Sequence, residues 1–127
     1  MAEKKSGKRV LVVDDSGMMR LIVCELVEQL GHEAIEAQNG FDAIAFAEKY
    51  EPDMIVLDVI MPEKSGFETL RELRGMEKFR TTPIVMLTTE TYQEFVDKAR
   101  EEKANDFLTK PVDLDELEEK MRQYLGS

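Results

Sequence analysis

Five short apolar runs alternate along this chain with five stretches in which apolar residues recur at helical spacing, and that alternation restricts the fold more than any single residue does. The first run, Val10 to Val13, is β-branched and leucine-rich and ends in Asp14-Asp15-Ser16, which supplies N-cap chemistry for a following helix. From Met19 the residues Met19, Ile22, Val23, Leu26, Val27 and Leu30 share one helical face, and Gly31 provides a left-handed stop. His32 to Ala37 reads as a second strand, Asn39-Gly40 as a turn, and Phe41 to Tyr50 as an alanine-rich helix ended by Glu51-Pro52-Asp53. Met54 to Leu57 is wholly apolar and leads into Asp58, with Pro62 and Gly66 as loop residues, so Asp58 is expected at the carboxyl end of a buried strand. Phe67, Leu70, Leu73 and Met76 mark a third helix, with Gly75 weakening its last turn. Ile84 to Leu87 forms a fourth strand, and Tyr92, Phe95, Val96 and Ala99 define a fourth helix. Asn105 to Thr109 is the fifth strand, and Leu114, Leu117, Met121 and Leu125 form the last helix with Asp113 as its N-cap.

Alternating strands and helices with short connections call for an α/β fold, a doubly wound parallel sheet covered by helices on both faces. Ligands in such folds bind beyond the carboxyl ends of the strands, where the strand order reverses. That rim is where the polar residues of this chain fall. Asp14 and Asp15 end the first strand, Asp58 the third, Thr88 the fourth and Lys110 the fifth.

The 127 residues suffice for one domain. A net charge of −10 argues against a nucleic-acid backbone as the direct partner. No stretch is apolar enough to span a membrane, and the basic start, Met1 to Arg9, lacks the apolar core of a secretory signal, so the expected compartment is the cytoplasm. Cys24 stands alone on an apolar helix face and reads as core packing. His32 reads as a solvated loop residue after Gly31, and Met18, Met19, Met54, Met61, Met76, Met86 and Met121 fall mostly on apolar faces or strands, where thioethers fill gaps. The run Asp113 to Lys120 reads as a charged, solvated face, and Glu90 as a solvated acid near the rim.

Three carboxylates gathered at one rim repel each other, a pair about 5 Å apart costing on the order of 3 kcal/mol at an effective dielectric of about 20. Hard oxygen donors with open positions suit Mg²⁺, which binds through one or two carboxylates, waters and a phosphate oxygen. Lys110 adds a fixed positive charge and Thr88 a hydroxyl for the remaining oxygens of a phosphoryl group. The set matches a carboxylate nucleophile that accepts phosphoryl, with Asp58, central and flanked on both sides, as that nucleophile. The simpler alternative has Asp14 and Asp15 capping the first helix and Lys110 pairing with one of them.

On Val-Val-Asp14-Asp15-Ser, on Asp58 followed by Met61-Pro62 and Gly66, on Thr88 and on Lys110-Pro111, the chain resembles the receiver domain of bacterial two-component response regulators, in the CheY-like form, from about Arg9 to the last helix. The resemblance implies five strands in the order 2-1-3-4-5 with five helices. It implies Asp58 as phosphoacceptor, Mg²⁺ held by Asp15, Asp58 and the backbone carbonyl of Ile60, and Asp14 acting through a metal-bound water. Lys110 would contact the phosphoryl group across a cis bond to Pro111. The function implied is a phosphorylation-controlled signalling switch rather than an enzyme, one that assists its own phosphotransfer and slow dephosphorylation. Its phosphoryl donor would be a histidine kinase or histidine phosphotransfer protein. Thr88 and Phe107 would be the switch residues, altering the face of the fourth helix, fifth strand and fifth helix for a downstream partner. Residues 1–8 are expected to be a flexible leader and 9–127 a receiver domain without an output domain, acting as a monomer.

This sequence also departs from the pattern. Ile60, two residues after Asp58, cannot hydrogen-bond an attacking water, which predicts slow self-dephosphorylation, and Thr89 is bulkier than the residue usual after the switch threonine. Lys103 stands where the family usually has glycine, so the fourth helix is expected to end with strain or to run long. Two other classes fit the residues less well. A Mg²⁺-dependent phosphohydrolase using Asp58 would want a second acid where Ile60 stands. A flavodoxin-like cofactor binder would want a Gly- and hydroxyl-rich loop where Asp14 and Asp15 stand.

Overall fold

The apolar runs that end at Asp58 and Thr88 are buried at every position, and their side chains go alternately to two core layers. The computed structural model describes residues 7–89 and 93–126. Its strands are β1 (Arg9–Val13), β2 (Glu33–Ala37), β3 (Met54–Asp58), β4 (Ile84–Thr88) and β5 (Asp106–Thr109). Its helices are α1 (Gly17–Gln29), α2 (Gly40–Tyr50), α3 (Gly66–Arg74), α4 (Gln93–Glu101) and α5 (Leu114–Leu125), with a 3₁₀ turn over Glu77–Phe79. All strand pairs are parallel, in the order β2-β1-β3-β4-β5, as expected.

Successive side chains of a strand point to opposite faces. Leu11, Val13, Ile55, Leu57, Ile84 and Met86 pack on one face against Ala43 and Ala47 of α2 and Phe67, Leu70 and Leu73 of α3. Val10, Val12, Met54, Val56, Val85 and Leu87 pack on the other against Val23 and Val27 of α1 and Leu117, Met121 and Leu125 of α5. At about 1.5–3 kcal/mol for each fully buried large apolar side chain, these two layers supply the driving force for the fold.

The helices begin where the sequence places their caps. Ser16 accepts from the Met19 N–H at the start of α1, Asn39 from Asp42 at α2, and Asp113 from Asp115 and Glu116 at α5. Ser65 and Glu68 form a reciprocal capping box at α3.

Some expectations are corrected. Met76 lies beyond α3, which ends at Arg74, because Gly75 closes the last turn and the chain becomes extended at Met76. Met18 is no gap-filler; it is 71% exposed at the amino end of α1. His32 is half-buried, and its Nδ1 accepts from the Lys8 N–H at 2.9 Å, tying the start of β1 to the loop after α1. Burial first, then the charge of Lys8, holds its pKa below the ordinary histidine value. Cys24 is buried, and burial, then Glu36 and Glu28, push its thiol up to about 11, consistent with packing. Lys103 takes a left-handed conformation (φ 70°), the strain expected of a non-glycine residue there. Arg74 stabilises that turn, donating from Nε to the Lys103 carbonyl at 3.0 Å and from Nη2 to Asn105 Oδ1 at 2.9 Å. The expectations for Glu90, Tyr92 and most of the amino-terminal leader lie outside the described residues.

Candidate functional site

The sheet order reverses between β1 and β3, and the carboxyl ends of those strands open the crevice in which the polar residues meet. Asp14 directly follows β1, its N–H donating to the Ala37 carbonyl at 3.1 Å. Asp58 closes β3 and Thr88 closes β4. Lys110 follows β5, its N–H donating to the Thr88 carbonyl at 2.7 Å, and its peptide bond to Pro111 is cis as expected. Asp14, Asp58 and Thr88 are buried, whereas Asp15 is exposed.

Carboxylate oxygens of Asp14, Asp15 and Asp58 lie within 4.8 Å of one another. The Lys110 Nζ is 2.9 Å from Asp14 Oδ2 and 3.2 Å from Asp58 Oδ1. Lys110 therefore bridges two acids rather than pairing with one. Burial, and then the neighbouring Asp14 charge, push the Asp58 carboxyl up to about 7 despite the opposing charge of Lys110. For Lys110, burial disfavours the ammonium, but the hydrogen bond to Asp14 and the charges of Asp58 and Asp14 outweigh it, and its pKa stands above the ordinary lysine value. A cluster in which one ammonium offsets only part of the repulsion among three carboxylates is chemically suited to a small divalent cation. The donors are all oxygen and Asp15 opens the cluster to solvent, which leaves room for waters and an incoming oxyanion.

The backbone around the acids is tightly specified. Asp14 Oδ1 accepts from the Ser16 N–H at 2.9 Å, and the Asp14 carbonyl accepts from Arg20 Nη1 at 2.7 Å. Gly66 donates to the Val59 carbonyl at 2.7 Å and lies so close to the Asp58 carbonyl that a Cβ there would collide with it. In the loop between β3 and α3, Glu63 is left-handed (φ 69°), and Lys64 is held 2.6 Å from Glu72 and over the Phe41 ring. Ile60, in the same loop, is 51% exposed at the mouth of the site, and Thr89 is exposed beyond β4.

Phe107 on β5 is half-buried against the core layer that contains Ala99 of α4. Its ring borders a groove of about 360 Å³ with Val96, Ala99, Ala104 and Asn105. A hollow of about 400 Å³ bounded by Lys8, Arg9, Glu33, Glu51 and Asp53 lies at the opposite, amino-terminal ends of the strands and is separate from the acid cluster.

Arg20 and Lys64 are absent from the set read from the sequence. A signal for Arg20 existed: it falls one helical turn after the N-cap Ser16, and helical side chains lean toward the amino end, over the end of β1. Lys64 had none, because its partners Glu72 and Phe41 come from different elements.

Residues 10–122 match the family model described as the response regulator receiver domain. Protein PilH of Pseudomonas aeruginosa is 33% identical over 109 residues, covering 86% of this chain and 90% of the relative. The chemotaxis protein CheY4 of Vibrio cholerae superposes with a TM-score of 0.89 at 35% identity, over 94% of this chain and all of that one. The receiver domain of sensor histidine kinase PA1611 from Pseudomonas aeruginosa PAO1, solved with a magnesium ion coordinated in its active site cleft, superposes with a TM-score of 0.86 at 28% identity over 96% of this chain.

Proposed function

From the premise that this chain belongs to the response regulator receiver domain family and is a phosphorylation-controlled signalling switch, we propose that Asp58 is its phosphoacceptor, with Asp14 and Asp15 completing a Mg²⁺ site. The observation that carries this is the Lys110 ammonium set between two buried carboxylates, with Asp15 beside them, at the carboxyl ends of parallel strands.

An Asp58 oxygen attacks phosphorus; the Asp58 Oδ–P bond forms as the bond from phosphorus to the donor's imidazole nitrogen breaks, and that bond's electron pair stays on the nitrogen. Asp15, Asp58 and the Ile60 carbonyl would hold Mg²⁺, which when bound would supply positive charge to offset that of Asp58 and the phosphoryl oxygens. Lys110 holds a phosphoryl oxygen with the ammonium that now bridges Asp14 and Asp58. Thr88 donates its hydroxyl to another, and the Phe107 ring turns inward beside the groove it borders, changing the α4–β5–α5 face offered to a downstream protein. The donor is a histidine kinase or histidine phosphotransfer protein, and the setting is the cytoplasm. Among the described residues no helix is long and apolar enough to cross a membrane. The protein assists its own phosphotransfer, and dephosphorylation is slow because Ile60 offers no polar group to orient water.

Incubation with acetyl phosphate and Mg²⁺ followed by intact mass tests the proposal. One phosphoryl adduct is expected, lost with EDTA and in Asp58→Ala. Donor turnover without an adduct would point to a phosphohydrolase, and the absence of both adduct and turnover would sink the assignment.

A further inference from the structure

The three clustered acids are not held equally. Both Asp14 oxygens are engaged, by the Ser16 N–H and by Lys110, and Asp58 is held by Lys110. The Asp15 carboxylate is exposed and accepts no hydrogen bond among the described residues. The fold therefore fixes where this carboxylate starts from, its backbone, through the planar peptide that joins the Asp14 carbonyl to the Asp15 N–H. That carbonyl is the one gripped by Arg20 Nη1 at 2.7 Å, while Arg20 Nε donates to Glu36 Oε1 at 2.9 Å. The Arg20 side chain is only 18% exposed, and a guanidinium holds its donors in a fixed plane, so two bonds to two elements fix its position. Glu36 sits on β2 opposite Val12 of β1, which carries the brace from the sheet edge through α1 to the turn after β1.

We propose that Arg20 is a positioning residue for the divalent cation: by holding the Asp14 carbonyl it orients the Asp14–Asp15 peptide and so aims the untethered Asp15 carboxylate into the cluster. The inference rests on the metal site proposed above. Charge alone argues the opposite way. Removing Arg20 deletes a positive charge beside three acids and leaves Glu36 unpaired, which would tighten cation binding. Positioning predicts weaker binding, so the sign of the change separates the two.

The test is Arg20→Met in the full chain, with Mg²⁺ affinity read by calorimetry and by the Mg²⁺-dependent rise in urea midpoint. Loss of a group that orients a ligand costs about 10–100-fold in metal affinity, and because Arg20 acts through the peptide we expect about tenfold. At saturating Mg²⁺ the extent of phosphorylation by acetyl phosphate should return to that of the parent. A merely structural Arg20 would lower the urea midpoint equally with and without Mg²⁺; affinity unchanged or tighter in the folded variant overturns the proposal. If Arg20→Met does not fold, Arg20→Lys, which keeps the charge but cannot hold the Asp14 carbonyl and Glu36 together with one rigid fork, must still weaken Mg²⁺ measurably, and parental affinity there overturns it. Absence of any Mg²⁺ response in the parent would instead reject the metal site itself.

Discussion

Replacing Asp58 with asparagine should stabilise the metal-free protein, and the gain should depend on pH. Asp58 titrates near 7 rather than at the ordinary 3.8 because burial and Asp14 oppose its charge. A folded-state pKa above the unfolded one means that the native state holds more protons between those values, so stability falls as pH rises through that window and stays lost above it. At about 1.36 kcal/mol per pKa unit the charge costs about 4 kcal/mol at pH 8 and almost nothing at pH 4. That cost is already net of the attraction of Lys110, which pulls the Asp58 pKa down, and the 2.9 Å contact of Lys110 to Asp14 persists in the variant. The expected gain at pH 8 in EDTA is therefore about 4 kcal/mol, shrinking to almost nothing toward pH 4. Urea unfolding followed by far-ultraviolet circular dichroism at several pH values, with parent and variant side by side, isolates the difference. Added Mg²⁺ should stabilise the parent more and close the gap at pH 8. A variant no more stable than its parent at pH 8 in EDTA, or a gap independent of pH, would refute the reasoning.

Gly66→Ala should lower stability by about 3 kcal/mol or more, because the new methyl collides with the Asp58 carbonyl and moves the acid; a urea midpoint within error of the parent would contradict this. Lys103→Gly should raise stability by about 0.5–1 kcal/mol, since the left-handed stop of α4 then carries no Cβ penalty, as a higher thermal midpoint would show. Ile60→Asn should accelerate loss of phosphoryl from the protein about tenfold or more by orienting water at the exposed mouth of the site, measured as decay of the phosphorylated mass after donor removal.

Much of this architecture is legible along the chain because periodicity and capping act within a few residues. The alternation Val10–Val12 against Leu11–Val13 assigns each side chain to a face before any partner is known, and Ser16, Ser65 and Asp113 start helices by contacts to the next turn. Strand-end chemistry is legible for the same reason: a strand carries its last residue to the rim wherever its neighbours lie. Local rules fail where a distant partner intervenes. His32 followed a glycine and looked solvated, yet the start of β1 folds back to donate to it. Met76 kept helical spacing, but Gly75 ended the helix one residue earlier.

The sequence by itself determined which elements form, the face each apolar residue takes and which side chains stand at the strand ends. Tertiary structure decided how those ends act on one another. Lys110 reaches Asp14 across 96 residues, and the bridge it makes to Asp58, together with burial, sets the charge state of the central carboxyl. The Arg20 brace likewise depends on β2 lying beside β1. Electrostatic energies and hydrogen-bond geometry depend on distances in space, and those distances exist only once the sheet has ordered strands that are far apart in the chain.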